Sequence, residues 1–359
     1  GHALVRDEQG REMHKSQGNA IWFDDAVDKI GADVMRWIYC NNETSINLNF
    51  GYNLAREVRG RIFNTIWNTY GFFINYARIE NWTPPAEPSP VAARSDFDRW
   101  ILSNLQLTIR EARRCFENYY PRGVTRAISD FVEDLSNWYI RHNRRRFWKG
   151  DDDADSRAAF ETLYACLEGL VRMLAPIMPF AAEEMYQNLV RSHDAQAPQS
   201  VHHTLFPAVD EKLIDEELSA HMAAVVRLNS LALSAREKAR IKVRQPLARL
   251  IIGPADAREE QAARRFAAML KEDLNVKELE VRPAKSICPV GWTVKPNFKT
   301  LGKRLGPRMK PVQEEISRRN DELALLLQKG EQTFVFQIEG EALSLDAKDL
   351  LLETAQDEN

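Results

Sequence analysis

A short loop near the beginning of the chain carries residue types that handle phosphate. Residues 10–19 read GREMHKSQGN, which places a lysine, a serine and a histidine between two glycines. A lysine ammonium can neutralise charge on phosphate oxygens, a serine hydroxyl can donate to them, and backbone N–H groups of a tight loop can form an anion-binding nest. Gly10 and Gly18 give the loop conformational range. Without supporting elements, the same pattern also describes a solvated hairpin.

The densest run of positive charge lies at residues 138–149, which read WYIRHNRRRFWK. Arginine binds phosphate through paired hydrogen bonds, and unstacked bases pack on aromatic rings or guanidinium planes. The predicted nucleic-acid contacts are Arg141, Arg144, Arg145, Arg146, Trp148 and Lys149. The alternative is that Trp138 and Phe147 belong to a core and that some arginines pair with Asp134 or with the acidic residues 151–153.

A second group of basic residues follows later in the chain. Its predicted contacts with nucleic acid are Lys295, Lys299, Lys303 and Arg304, and it continues to Arg308 and Lys310. Two glycines and a proline within it predict a loop, which suits contact with phosphates more than the reading of bases. The alternative is a solvated charged loop.

Composition sets the limits on these interpretations. The chain has 359 residues, enough for two or three domains with a substantial core. Its net charge of −3 excludes a global attraction to nucleic acid, so any such surface must be local. Its 4 cysteines are scattered, which argues against a cysteine-rich zinc site and a disulfide framework and favours a reducing, cytoplasmic location. No apolar run is long enough to predict a membrane span, and no signal-peptide pattern occurs.

The elements that must position these residues are helices. Apolar residues recur at three- and four-residue steps up to about residue 192. The pattern predicts a proline-rich linker at 83–90 and helices at 24–37 with a break at Gly31, 55–77, 95–119, 124–147, 156–174 and 181–190. Helices joined by short turns in this way predict an antiparallel bundle.

From residue 210 the pattern changes. It predicts a helix to residue 240, strands at 250–252, 276–281, 292–294 and 333–338, helices at 257–270 and 311–327, and a hairpin turn at 339–341. We therefore predict a mainly α protein, an antiparallel helix bundle followed by a small α+β domain. The predicted divisions are 1–50 for the loop and its adjoining helices, 51–195 for the bundle, 196–240 for a connecting helix and 241–359 for the α+β domain.

The loop and the residues after it resemble the signature region of class I aminoacyl-tRNA synthetases. In that family a mobile Lys-Met-Ser-Lys-Ser loop precedes Gly-Asn, an acidic helix start, and Gly-Ala-Asp before a hydrophobic–Arg pair. Here Gly18-Asn19, Asp24-Asp25 and Gly31-Ala32-Asp33 occur in that order. Segments 239–247, 274–278 and 295–302 resemble isoleucyl-tRNA synthetases. The resemblance implies a C-terminal fragment, with residues 1–50 a remnant of the catalytic domain and stem-contacting helices, and 51–195 the anticodon-binding bundle.

The loop departs from the family pattern at two positions. Glu12 stands where the family has its first lysine, and His14 where it has its middle serine. The resemblance implies that Lys15 and Ser16 are catalytic. It also implies an ATP-binding loop made of Met13, His14, Lys15, Ser16, Gly18 and Asn19. Because histidine titrates near pH ~6.5, His14 motivates the hypothesis that activity depends on pH.

The resemblance implies the tRNA-binding part of an isoleucine–tRNA ligase, whose full-length form uses ATP with Mg²⁺ to join isoleucine to its tRNA. The family's His-Ile-Gly-His motif, Rossmann sheet and inserted editing domain do not occur in these residues. We therefore expect this fragment to bind isoleucine tRNA without catalysis, to hold no cofactor or metal, to be monomeric and to avoid membranes. Three alternatives stay open: a non-catalytic or regulatory tRNA-binding relative, a valyl- or leucyl-type fragment, and a helical scaffold without an RNA role.

Overall fold

The protein is represented by a computed structural model that describes residues 3–148, 154–283, 291–328, 331–338 and 341–355. Helices predominate within these ranges. The chain divides into two units, one ending at Ala223 and the other beginning at Ala224. Among the described residues, no helix is long and apolar enough to cross a membrane.

The first unit begins with a small layer that carries the loop. Strand β1 (Val5–Arg6) pairs in parallel with β2 (Leu48–Asn49), and helices α1 (Phe23–Ile30) and α2 (Ala32–Asn41) lie between them in sequence. The break predicted at Gly31 within the helix over 24–37 is present, and it divides that segment into two helices. Gly31 has a φ of 88°, a conformation that glycine adopts at little cost. One face of each helix packs into a shared apolar cluster that includes Ala26, Ile30, Val34, Ile38 and Phe50.

The antiparallel helix bundle predicted from the sequence follows. Its helices are α3 (Tyr52–Val58), α4 (Asn64–Ile79), α5 (Asp96–Glu117), α6 (Pro121–Glu133), α7 (Arg141–Asn143), α8 (Ala154–Leu174) and α9 (Pro179–Tyr186). Three π-helical stretches, Arg59–Phe63, Asp134–Ile140 and Gln187–Arg191, join or extend them without breaking the helical path. Helix α10 (Glu216–Lys238) runs across the boundary between the two units.

Helix α5 shows why these segments form a bundle. Ser95 caps its start: the Ser95 hydroxyl accepts from the Asp98 backbone N–H, and the Asp98 carboxylate accepts from the Ser95 backbone N–H. Along the helix, Ile101, Leu105 and Ile109 recur every four residues and are almost fully buried. Burial of such a stripe against neighbouring helices supplies most of the stability of a helix in a protein.

The connections give the bundle two ends. The near end contains the α5–α6 turn at 118–120 and the α8–α9 turn at 175–178, and it contacts α2. The far end contains the end of α4, the start of α5 and residues 144–148, where Arg146 contacts Asp98.

The second unit contains a parallel pair and two antiparallel pairs of strands. Strand β3 (Leu247–Ile252) pairs with β4 (Val276–Val281), with α11 (Ala257–Arg265) and α12 (Ala267–Asp273) between them in sequence. Strand β5 (Gly291–Pro296) pairs with β8 (Leu350–Ala355), and β6 (Thr333–Ile338) forms a hairpin with β7 (Glu341–Asp346). The remaining helices of its described residues are α13 (Phe298–Leu305), α14 (Met309–Arg318) and α15 (Asn320–Gln328).

The loop predicted around residues 302–307 was wrong in part, because α13 extends to Leu305. Leu301 and Leu305, four residues apart, are buried in the core of this part of the chain together with Val312. That apolar spacing outweighs the helix-weakening effect of Gly302. The predicted hairpin is confirmed by the pairing of Ile338 with Glu341; residues 339 and 340 of its turn lie outside the described residues.

Candidate functional site

Asn19 closes the loop near the start of the chain. Its amide nitrogen donates to the backbone oxygen of Glu12 at 2.9 Å and to the Asp7 carboxylate at 3.1 Å, and its amide oxygen accepts from the His14 backbone N–H at 2.9 Å. Asp7 also accepts from the backbone N–H and the Nε of Arg11, both at 2.8 Å. Burial alone raises the pKa of Asp7, but these hydrogen bonds outweigh it and lower the pKa below its ordinary value.

The tip of the loop presents Lys15 and Ser16 to solvent. The two residues begin a single 3₁₀ turn, Lys15–Gln17, which ends at Gly18 with a φ of 69°. The Lys15 ammonium lies 4.4 Å from the centroid of the Trp22 ring, a cation–π contact. Met13 is partly buried and anchors the loop against the apolar cluster of α1 and α2. The loop therefore holds a lysine and a hydroxyl on a fixed base, with their polar ends exposed.

The two departures from the family pattern face each other. The Nε2 of His14 lies 3.6 Å from a carboxylate oxygen of Glu12, and both side chains are more than half exposed. Arg11, the other cation close to Glu12 in sequence, is engaged by Asp7 at 2.8 Å. Within residues 10–19, Lys15 is thus the basic side chain that forms no ion pair with a carboxylate of the described chain.

The Gly-Ala-Asp segment fastens α2 to the near end of the bundle. The Asp33 carboxylate accepts from the backbone N–H of Phe180 at 3.2 Å and of Ala181 at 2.7 Å, at the start of α9. Arg36 donates to the carbonyl oxygens of Pro176 and Ile177 at 2.8 and 2.9 Å. Burial raises the pKa of Asp33 despite these donors. The segment resembling the family therefore has a structural role here, because it fixes the loop-bearing layer relative to the bundle.

Arg146 is a bundle-stabilising arginine. Its side chain is 13% exposed and forms a paired contact with the fully buried Asp98, at 3.0 and 2.8 Å, and another with Asp155. The Tyr139 hydroxyl also donates to Asp98 at 2.6 Å. Burial raises the pKa of Asp98, but the donors from Arg146, Tyr139 and Ser95 outweigh it and lower the pKa overall. The interpretation that some arginines of this stretch pair within the bundle thus holds for Arg146, with Asp98 and Asp155 as partners.

Other residues of the same stretch form an exposed surface at the far end. Arg144, Arg145 and Trp148 are exposed, and no hydrogen bond or ion pair involves Arg145 within the described chain. The Arg144 guanidinium lies 5.7 Å from the centroid of the Phe72 ring, and Trp148 lies 6.3 Å from Tyr76. We call Phe72, Tyr76, Arg144, Arg145 and Trp148 the arginine–aromatic surface. Arg141 is also exposed but has an interaction within the chain, and Lys149 lies outside the described residues.

The sequence-based search missed Phe72 and Tyr76. Their rings are 4.8 Å apart on α4, and their four-residue spacing in the sequence is the signal that could have indicated them.

In the second basic cluster, Arg304 is engaged by Asp349 at 3.1 Å and by the Ser344 carbonyl at 2.9 Å. Lys295 is exposed but also has an interaction within the chain. The side chains of Lys299 and Lys303 lie outside what the structure describes.

Two family models match this chain. The anticodon-binding domain of tRNA ligases matches residues 98–252, and class I tRNA synthetases (I, L, M and V) match residues 1–51, which contain the loop. With the helical bundle and the loop described above, these matches define a part of a class I tRNA synthetase, and the chain belongs to that family.

Many of the curated relatives that it matches are isoleucine–tRNA ligases. The enzyme of Thermus thermophilus is 41% identical over 98% of this chain and 34% of its own length. That of Dehalococcoides mccartyi is 43% identical over 80% of this chain and 28% of its own, and that of Bacteroides thetaiotaomicron 36% over 99% and 30%. The chain therefore spans 34% or less of the length of these three relatives.

A solved ternary complex of Agrobacterium radiobacter K84 agnB2 LeuRS with tRNA and LeuAMS is also similar. Its TM-score is 0.47 at 21% identity, over 60% of this chain and 24% of that one. That likeness is too low to support an argument about function.

Proposed function

We propose that this chain binds isoleucine tRNA as the anticodon-binding part of an isoleucine–tRNA ligase, and that the arginine–aromatic surface is its RNA contact. The observation that carries the proposal is the placement of Arg144 beside Phe72 and of Trp148 beside Tyr76 at one end of the bundle, with the exposed Arg145 next to Arg144 in sequence. Guanidinium groups can bind the phosphates of an RNA loop while its unstacked bases pack on the rings. The match of residues 98–252 to the anticodon-binding domain supports this use of the bundle.

Removal of the two exposed arginines tests the proposed surface. We expect the double variant Arg144→Gln, Arg145→Gln to bind isoleucine tRNA more weakly and to reduce the slope of log affinity against log salt by about 2, since each lost phosphate contact changes it by about 1. The matched control is Arg126→Gln, which removes a charge from a side chain that is 84% exposed on α6. Fluorescence anisotropy across a salt series measures both quantities. Equal affinity and slope in the double variant and the control would contradict the proposed surface.

We further propose that the whole enzyme joins isoleucine to tRNA with ATP and Mg²⁺, and that Lys15 and Ser16 contact the phosphates. In that reaction the isoleucine carboxylate attacks the α-phosphate of ATP and displaces pyrophosphate, and a hydroxyl at the tRNA 3′ end then takes the aminoacyl group and releases AMP. The exposed ammonium of Lys15 supports its role, because Arg11 and His14 both face carboxylates. Lys15 would stabilise the negative charge that grows on the phosphate oxygens, and Ser16 would donate a hydrogen bond to them.

The test of this second proposal uses the full-length enzyme. We expect Lys15→Ala to lower kcat for adenylate formation by at least roughly tenfold, the scale of one lost charge contact in a transition state, and to leave tRNA affinity unchanged. Lys212→Ala, at an exposed lysine of the same unit, is the control. An unchanged kcat for Lys15→Ala would refute the assigned role.

One observation favours a second candidate, a tRNA-binding relative without catalysis. Glu12 and His14, the two departures from the family pattern, pair with each other. Adenylate formation by the full-length protein decides between the candidates, because the relative predicts none while tRNA binding persists.

A further inference from the structure

A cleft of about 670 Å³ lies between α5 and α8, beneath the proline-rich segment 82–91. Helix α5 lines it with Leu102, Leu105 and Ile109, and α8 lines it with Tyr164 and Gly169. Its volume falls within the roughly 300–1,000 Å³ that small-molecule sites occupy. It is separate from the loop and from the arginine–aromatic surface.

The walls of this cleft are held in place by hydrogen bonds. On one side, Ser89 donates to the Glu161 carboxylate through its backbone N–H at 2.8 Å and its hydroxyl at 2.6 Å, and Arg94 donates to the Ser89 carbonyl at 2.8 Å. On the other side, Arg172 donates to the Leu205 carbonyl at 3.1 and 2.8 Å. These contacts fasten both irregular segments to α8, so the cleft is preformed. The prolines at 84, 85 and 88 also line the cleft, and they have no backbone N–H that would need an acceptor.

The charges that line the cleft cancel. Arg94 pairs with Glu161 at 2.7 Å, with both side chains more than nine-tenths buried, and Arg172 pairs with Glu168 at 3.0 Å. A charged ligand would meet no uncompensated charge on these walls and would lose its hydration without replacement. The lining therefore suits an uncharged molecule with a large apolar part.

One polar group on the α5 wall is available to such a molecule. Gln106 is 6% exposed, and its amide oxygen is used by the Asp210 backbone N–H at 2.9 Å. Within the described chain, no acceptor takes a hydrogen bond from its amide nitrogen. Gln106 lies on the same face of α5 as Leu102 and Ile109 and lines the cleft. The nitrogen is not among the fully buried side-chain atoms that lack a partner, so it reaches the open space of the cleft and can donate there to an acceptor on a ligand.

We propose that this cleft binds an uncharged, mainly aromatic or aliphatic small molecule that carries one carbonyl-type acceptor, which receives a hydrogen bond from Gln106. The inference does not depend on the proposed tRNA function, since no residue of the arginine–aromatic surface or the loop lines the cleft.

The experiment uses Nile red, an uncharged dye with a carbonyl oxygen, in fluorescence titrations of the full chain. We expect saturable binding at one site and a weakening of at least roughly tenfold in Ala165→Phe, because the added ring fills the α8 wall. Ala154→Phe makes the same change at an exposed position of α8 and should bind like the wild type. Thermal unfolding shows that both variants are folded. Absence of saturable binding, or equal binding by the two variants, would overturn the proposed site.

A pair of competitors tests the hydrogen bond separately. Benzophenone and diphenylmethane differ by one carbonyl group, and we expect benzophenone to displace Nile red about three- to tenfold better, the scale of one net hydrogen bond. Gln106→Met keeps the length of the side chain and removes the donor, so the difference between the competitors should disappear. Equal displacement in the wild type, or a difference that survives Gln106→Met, would refute the role of Gln106.

Discussion

Arg145 and Arg146 are adjacent in sequence, yet the structure predicts that their replacement by glutamine changes different properties: stability for Arg146 and tRNA affinity for Arg145. Arg146 is the main partner of Asp98, a carboxylate with no exposed surface. Removal of one member of a buried ion pair costs about 3–5 kcal/mol, because the remaining charge stays buried without compensation. Tyr139 and Ser95 still donate to Asp98 in the variant, so the lower end of that range applies. For a unit of this size, about 3 kcal/mol lowers Tm by roughly 6–12 °C.

Arg145→Gln should change Tm by no more than roughly 1–2 °C, since a surface substitution of this kind costs at most about 0.5 kcal/mol. The same variant should bind isoleucine tRNA more weakly, with the salt slope reduced by about 1. Thermal unfolding followed by circular dichroism, with anisotropy titrations of labelled tRNA, measures both properties on the same samples. The reasoning is refuted if Arg145→Gln lowers Tm as much as Arg146→Gln does, or if Arg146→Gln leaves Tm unchanged.

Two further predictions concern a buried carboxyl group and the loop. Burial raises the pKa of Asp134 to about 6, so its ionised form is disfavoured in the folded protein, and the contribution of this group to stability should fall as the pH rises from about 4 through 6. Asp134→Asn should therefore gain stability over the wild type across that pH range, up to the order of 2 kcal/mol at neutral pH, measured by urea unfolding of both proteins at several pH values; a difference between them that does not change with pH would contradict this. Asn19→Ala should free the His14 backbone N–H and speed its hydrogen exchange, whereas unchanged exchange would show that Asn19 does not close the loop.

The sequence predicted the bundle well because local signals dominate there. The Ser95 and Asp98 capping pair, the four-residue apolar steps of α5 and the proline at the start of α6 act within a few residues of one another. Observed helix ends differ from the predicted ones where a residue that is distant in sequence caps the helix. Helix α3 begins at Tyr52 because the Glu8 carboxylate accepts from the Asn53 backbone N–H at 2.5 Å, a contact between residues 45 positions apart.

Non-local pairing limits what the sequence reveals. The β5–β8 pair joins segments more than fifty residues apart, and β8 was not predicted because its partner strand lies far away in the chain. The site shows the same limit, because charge and spacing predicted the same contact with nucleic acid for Arg144, Arg145 and Arg146. Only the position of Asp98 beneath that stretch separates the buried arginine from its exposed neighbours.

The most direct test of the central claim compares the affinity of this chain for isoleucine tRNA with its affinity for leucine tRNA across a salt series. We predict tighter binding of isoleucine tRNA at every salt concentration, because contacts with bases persist while phosphate contacts weaken with salt. Equal affinities with a steep salt slope would mean that the chain contacts phosphates without reading bases, and would contradict the assignment to isoleucine tRNA.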